Sequence, residues 1–101
     1  MVPACRQAGS DWLLIMKIRE YFVYVIKSQK DGRLYVGMSK NVANRLKEHN
    51  AGEVFSTKGF RPWELKQIEM FGSRQGARNR EKYLKSGTGK EYLKLLYNIP
   101  R

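Results

Sequence analysis

Tyr21-Phe22-Val23-Tyr24-Val25-Ile26-Lys27-Ser28, a polar break through Asp31-Gly32, and then Leu34-Tyr35-Val36-Gly37-Met38 decide the fold of this chain. Two runs of aromatic and β-branched residues separated by an Asp-Gly turn read as a β-hairpin. With the turn centred on Asp31-Gly32, whether as a two- or a four-residue loop, Ser28 opposes Tyr35. Side chains alternate faces with a period of two, so Tyr24, four residues from Ser28, shares a face with Tyr35. A slip of one residue would separate the two phenols.

Outward from the hairpin, Asn41 is a predicted N-cap and Gly52 a predicted stop for a helix carrying Val42, Arg45, Leu46 and His49 at i, i+3, i+4 and i+7. Those four fall on one stripe. Arginine and histidine on an apolar stripe need partners once desolvated, so two phenols facing a guanidinium and an imidazole mark a candidate site. The residues alone leave a plainer reading open, with a structural histidine and tyrosines that only pack.

Glu53 to Pro62 reads as a loop, in which Lys58 and Arg61 are either phosphate contacts or solvated charge. Trp63 to Phe71 alternates loosely, as a third strand would. A second helix runs from an N-cap at Ser73 to a stop near Gly87, with Ala77, Arg80, Glu81 and Leu84 on its less polar face. Glu81 is its only acid among Arg74, Arg78, Arg80, Lys82 and Lys85, and its simplest role is an i, i+4 pair with Lys85, worth ~0.3–0.5 kcal/mol. Thr88-Gly89-Lys90-Glu91 reads as a capping box opening a last helix whose apolar face is Tyr92, Leu93, Leu96 and Tyr97, ending near Asn98. The expected fold is α+β: a small three-stranded antiparallel sheet flanked by helices, in the order β-β-α-β-α-α.

A chain of 101 residues has room for one modest core. Twenty Lys and Arg against nine acids give a formal charge of +11, which favours a polyanionic partner, while 42% hydrophobic residues exclude a disordered basic tail. Cys5 is the sole cysteine, so an internal disulfide and a Cys-rich metal site are excluded and a cytoplasmic setting is expected. Trp12-Leu13-Leu14-Ile15-Met16 is too short to span a membrane. Residues 1–19 are expected to form a loosely held extension, with Met16 a sufficient start, and residues 20–101 a single domain. No internal repeat is visible.

Phe22-Val23-Tyr24, Tyr35-Val36-Gly37 and the run Asn41 to Gly52 resemble the core of the GIY-YIG nuclease family, in particular its small stand-alone bacterial members, which are related to the N-terminal nuclease domain of the excision-repair endonuclease. Phe22 stands where the first motif has Gly, and Val23 and Val36 where the motifs have Ile. Thr57-Lys58, Arg61 to Leu65 and Arg80 to Gly87 are similar to the family's third strand and glutamate-bearing helix. The resemblance covers roughly residues 20 to 95.

It implies a metal-dependent endonuclease with Tyr24, Tyr35, Arg45, His49 and Glu81 as catalytic residues and Glu81 as ligand for Mg²⁺ or Mn²⁺, ions that take oxygen donors and keep several waters. Arg45 would grip phosphate oxygens with its planar fork. Tyr24 is the first choice to take the water's proton, with Tyr35 sharing that task or holding the water. A phenol of pKa near 10 needs help from positive charge on Arg45, the metal or a lysine such as Lys40. His49 would orient a tyrosine, accept the proton or bond a phosphate; the sequence does not choose. A further polar residue of the family's site corresponds weakly to Asn79 or Asn98. Lys40, Lys58, Arg61, Arg74, Arg78 and Lys85 are expected backbone contacts, with Lys90 and Lys94 as further ones. The expected substrate is DNA, although backbone chemistry also admits RNA. Structure-selective or weakly sequence-selective cutting in repair, recombination or defence is expected, by a monomer or weak homodimer. The alternative from another class is a catalytically idle basic module that binds nucleic acid with a partner. Intact Arg45 and Glu81 favour the nuclease, because a pure binder has no use for a lone carboxylate near phosphates.

Overall fold

The sheet is built around its first strand. In the computed structural model, which describes residues 20–97, β1 (Tyr21–Ser28) lies between β2 (Leu34–Ser39) and β3 (Trp63–Phe71), antiparallel to both. Between β2 and β3 come α1 (Val42–Ala51) and a single 3₁₀ turn (Lys58–Phe60); α2 (Arg74–Lys85) and α3 (Gly87–Leu96) follow β3. This is the expected α+β order. The expectations for residues 1–19 and Asn98 lie outside the described residues. Among the described residues no helix is long and apolar enough to cross a membrane.

The hairpin register differs from the expected one by two residues. Tyr35 opposes Ile26, not Ser28, and Tyr24 opposes Gly37. The cause lies in the turn. Ser28 N–H donates to the Arg33 carbonyl and Gly32 N–H to the Ser28 carbonyl, at 2.8 and 2.9 Å, so the loop starts one residue earlier than Asp31-Gly32 suggests. The Ser28 hydroxyl, buried at the head of that loop, accepts from the N–H groups of Lys30 and Asp31 and fixes it there. A shift of two preserves parity, so Tyr24 and Tyr35 do share a face.

The loose alternation of β3 also has a structural cause. Val25 opposes Gln67 and Ile26 opposes Leu65, leaving Lys66 as the extra residue of a bulge. The bulge resets the parity of the strand, so that Trp63 and Leu65 before it and Ile68 and Met70 after it belong to one face. Each face of the sheet has its own core. On one side Tyr24, Ile26, Val42 and Trp63 pack with Phe22, Tyr35, Leu46, Phe60 and Leu65 beneath α1; on the other Val23, Val25 and Val36 pack against Ala77, Leu84 and Leu93 of α2 and α3. The sheet is therefore sandwiched, and β2 is left as an outer edge where the two faces meet.

Two corrections concern the C-terminal helices. The cap of α3 is Ser86, whose hydroxyl accepts from the Gly89 N–H, not Thr88, which lies in the first turn. Ser86 also closes α2, donating its N–H to the Tyr83 carbonyl, so one residue joins the helices without a linker. The apolar face of α3 is also narrower than expected: Leu93 and Tyr97 turn inward, while Tyr92 and Leu96 are exposed. The abrupt joint brings the helices so close that a methyl on Gly89 would lie 2.6 Å from the Leu84 Cα and 2.8 Å from the Tyr83 carbonyl carbon. Backbone cannot yield as a side chain can. Gly89→Ala should therefore cost ~1–3 kcal/mol by forcing α3 away from α2, and lower the melting temperature by roughly 4–8 °C per kcal/mol; an unchanged melt would contradict this packing.

Candidate active site

Tyr24 and His49 meet because Gly37 has no side chain. Tyr24 points from the central strand toward β2, and its ring passes directly over Gly37, where a methyl would lie 2.5 Å from Cζ. Crossing its neighbour in this way, the hydroxyl reaches His49 Nε2 at 2.9 Å. His49 is delivered from the other side by α1, whose N-cap Asn41 accepts from Asn44 N–H and whose stop is the left-handed Gly52, as expected from sequence. Val42 and His49 are its buried residues.

The other imidazole nitrogen, Nδ1, lies 2.8 Å from Thr57 Oγ1, and that hydroxyl is within 3.3 Å of the Val54 carbonyl. Tyr24, His49 and Thr57 are at most 1% exposed, so in the resting structure their hydrogen-bond partners are protein groups. Only one proton arrangement satisfies all of them. Thr57 donates to the Val54 carbonyl and accepts from Nδ1–H; His49 Nε2 is then a free lone pair that accepts the Tyr24 O–H. With the other tautomer the Tyr24 proton would have no acceptor, because the Arg45 guanidinium beside the phenol oxygen is a second donor. Burial pushes the Tyr24 pKa up to about 12, outweighing the opposing hydrogen bond from Arg45, and smaller contributions from Tyr35 and Glu81 add to the rise. Burial first, and then Arg45, push His49 below its usual value. Both groups are accordingly neutral at pH 7. This changes the expectation that nearby cations would lower the Tyr24 pKa; desolvation dominates.

Around this pair the remaining expected residues assemble. Tyr35 sets its ring edgewise against His49 with centroids 5.1 Å apart, and Trp63 closes the nest at 6.3 Å from Tyr35. Arg45 donates to Glu48 Oε1 at 2.7 Å, and its side chain remains 39% exposed, available to an anion from solvent. Glu81 sits between Lys85 at 3.1 Å and Arg78 at 3.8 Å, with its side chain 12% exposed, and Lys85 in turn lies 5.9 Å from the Tyr35 ring. The plain Glu81–Lys85 pair is therefore present, at the β2 edge next to the phenols.

Of the expected backbone contacts, Arg78 and Lys85 flank Glu81, and Arg74 continues their stripe one turn before Arg78 on α2. Lys58 and Arg61 lie on the α1 side just past Thr57, where Arg61 Nε donates to the Lys58 carbonyl at 2.7 Å. Lys40 is not brought to the phenols; it lies over the Tyr21 ring at 4.8 Å. Asn79 accepts from Gln75 on the exposed side of α2, away from the site. Two residues escaped the sequence reading. Glu48 was findable as the i, i+3 partner of Arg45. Thr57 was not, since its value depends on a loop folding back onto α1, pinned by Trp63 Nε1 donating to the Thr57 carbonyl and by Asn50 exchanging two hydrogen bonds with the Trp63 backbone.

Glu81 offers a metal one carboxylate, and His49 offers nothing because both its nitrogens are engaged. No group of three or more His, Cys, Asp or Glu is arranged to hold a metal among the described residues. That donor set fits a hard, largely hydrated cation sharing its shell with phosphate, and does not fit zinc.

A family model described as the GIY-YIG catalytic domain matches residues 20–94. The chain belongs to the GIY-YIG family. Similar proteins include a UPF0213 protein of Staphylococcus haemolyticus, 38% identical over 78 residues that make up 76% of this chain and 94% of that protein, and one of Syntrophus aciditrophicus, 36% identical over 81 residues, 78% and 92%. The solution NMR structure of the UPF0213 protein BH0048 from Bacillus halodurans is similar at 31% identity and a TM-score of 0.48, covering 80% of this chain and 88% of that one. The family match and the two UPF0213 relatives of Staphylococcus haemolyticus and Syntrophus aciditrophicus place the chain with the small stand-alone members of GIY-YIG, a nuclease family whose substrates are nucleic acids. Its departure at Phe22 has a local account: the residue is ordinary extended strand opposite Ser39 and Met70, and its ring packs into the α1-side core. The glycine of the second motif, Gly37, is the one that the phenol's path requires.

His49 is the only histidine, which makes one consequence measurable. The unfolded chain takes up a proton near pH 6.5 and the folded chain only at lower pH, so the unfolded state binds more protons there and stability rises with pH. Urea unfolding should show stability falling as pH drops below about 6.5, with a limiting slope of ~1.4 kcal/mol per unit. His49→Gln should flatten that slope above the carboxylate range. A wild-type slope that persists in the variant would mean that another group is responsible.

Proposed function

We propose that this GIY-YIG protein is a divalent-metal-dependent DNA endonuclease that hydrolyses phosphodiester bonds, structure-selective or weakly sequence-selective, acting in repair, recombination or defence. One observation carries the reading: a buried imidazole lies 2.9 Å through Nε2 from a phenol oxygen and 2.8 Å through Nδ1 from the Thr57 hydroxyl, with an arginine beside the phenol. Packing alone has no need of that arrangement, whereas hydrolysis has a use for each part of it.

The attacking water must lose a proton as it bonds to phosphorus. Tyr24 takes that proton while passing its own to His49 Nε2, so no free phenolate has to form at a group of pKa about 12. The imidazolium that results is held by Thr57 through Nδ1–H. Arg45 binds two phosphate oxygens with its fork and neutralises charge growing there. Its ion pair with Glu48 keeps the fork aimed while leaving donors free. Tyr35 edges the pocket and positions the water. Glu81 would hold Mg²⁺ or Mn²⁺, which when bound supplies a positive charge for the phosphate and the departing 3′ oxygen. Arg78 and Lys85 now neutralise that carboxylate and become phosphate contacts on the same edge.

Cleavage of labelled duplex, branched, flapped and single-stranded DNA, with Mg²⁺, Mn²⁺ or EDTA, tests the reading. Cutting should need the metal, and Glu81→Ala should abolish it by at least ~100-fold with DNA binding retained. Tight binding with no cutting under any of these conditions would contradict it and favour the idle basic module.

A further inference from the structure

Beyond the aromatic site, a groove of about 630 Å³ runs between the outer edge of β2 and the junction of α2 with α3. Its floor includes Val36, Leu84 and Leu93, all core side chains, so its shape is fixed by the packing of the fold. Its walls are cationic. Arg33 stands on the hairpin side and Lys85, Lys90 and Lys94 on the helical side, against one lining acid, Asp31, which Arg33 already pairs at 2.8 Å. Lys90 and Lys94 are one turn apart on α3 and so form a row about 6 Å long. A row of cations suits a polyanion better than a single anion.

The groove is continuous with the proposed catalytic edge, because Tyr35 and Lys85 belong to both: Tyr35 touches His49, and Lys85 touches Glu81. We infer that the groove carries the phosphodiester backbone of the nucleic-acid strand on one side of the scissile phosphate, so that the substrate leaves the site across β2 and along α3. Arg33, Lys90 and Lys94 are its contacts, and none of them is needed for the chemistry. The inference rests on the nuclease reading for its direction, since it takes Glu81 and Tyr35 as the place where the strand is cut.

The test compares two double variants of the full chain that remove the same charge. Lys90→Ala/Lys94→Ala empties the groove wall; Lys47→Ala/Lys82→Ala removes two exposed lysines that do not line it. Binding to fluorescein-labelled duplex DNA is read by anisotropy over a range of salt, with EDTA present so that nothing is cut, and thermal melts verify that both variants fold. Each lost phosphate contact lowers the slope of log affinity against log salt by about 0.9. The groove pair should flatten the slope by roughly 2 and weaken binding at least ~10-fold near 0.1 M salt, while the control pair leaves the slope unchanged. Equal effects of the two pairs, or an unaltered slope in the groove pair, would overturn the inference. Because the readout is binding, the two failures separate: a protein that cuts DNA but whose groove pair binds like wild type loses only the groove, and one whose groove pair loses affinity but that never cuts loses only the nuclease.

Discussion

The hydrogen bond from the Tyr24 hydroxyl to His49 Nε2 is the constraint around which the molecule is arranged. It joins the middle strand to α1 across the edge strand, and it exists only because position 37 presents no Cβ to the phenol ring. A buried polar pair of this kind is costly unless each member is satisfied. The surrounding structure meets that demand step by step. Thr57 receives Nδ1–H, Val54 receives the Thr57 hydroxyl, Trp63 and Asn50 hold the loop that carries Thr57, and no buried side-chain polar atom among the described residues lacks a partner.

Electrostatics follow from the same burial. Desolvation raises one acid and lowers one base, so the pair rests as two neutral groups with the proton on the phenol. A proton delivered to Tyr24 can then move on to the imidazole without either group carrying charge in the resting state. Charge is instead kept at the periphery, where Arg45 and Glu81 retain exposure or cationic neighbours. In the proposed mechanism this gives a dry relay under α1 and a wetter, charged rim along α2 where phosphate and metal would be held.

Much of this was legible in the chain. The two motif tyrosines, the Asn41 and Ser73 caps and the helical stripe ending at His49 depend on local rules, period and capping, and the structure has them as read. The shared face of Tyr24 and Tyr35 survived a misplaced turn because a two-residue shift keeps parity. What escaped depended on which of several competing contacts the folded chain makes. Ser28 moved the hairpin loop, the bulge at Lys66 reset the third strand, and Ser86 capped α3 because it also ends α2, so the apparent box at Thr88 was a coincidence of composition. The Tyr24 pKa was misjudged for the same reason: sequence shows the cations near a residue but not the depth of its burial. Positive charge from Arg45, the metal or a lysine was expected to lower it, and desolvation raises it instead.

The most direct test of this account is the protonation state of His49, which a single-histidine chain lets NMR read without assignment ambiguity. Protein labelled with ¹⁵N at the imidazole should show, at pH 7, a neutral ring with its proton on Nδ1 and a bare Nε2 accepting from Tyr24. A ring protonated at Nε2, or an imidazolium at that pH, would contradict it, because Tyr24 would then have no acceptor for its proton and the relay no place to send one.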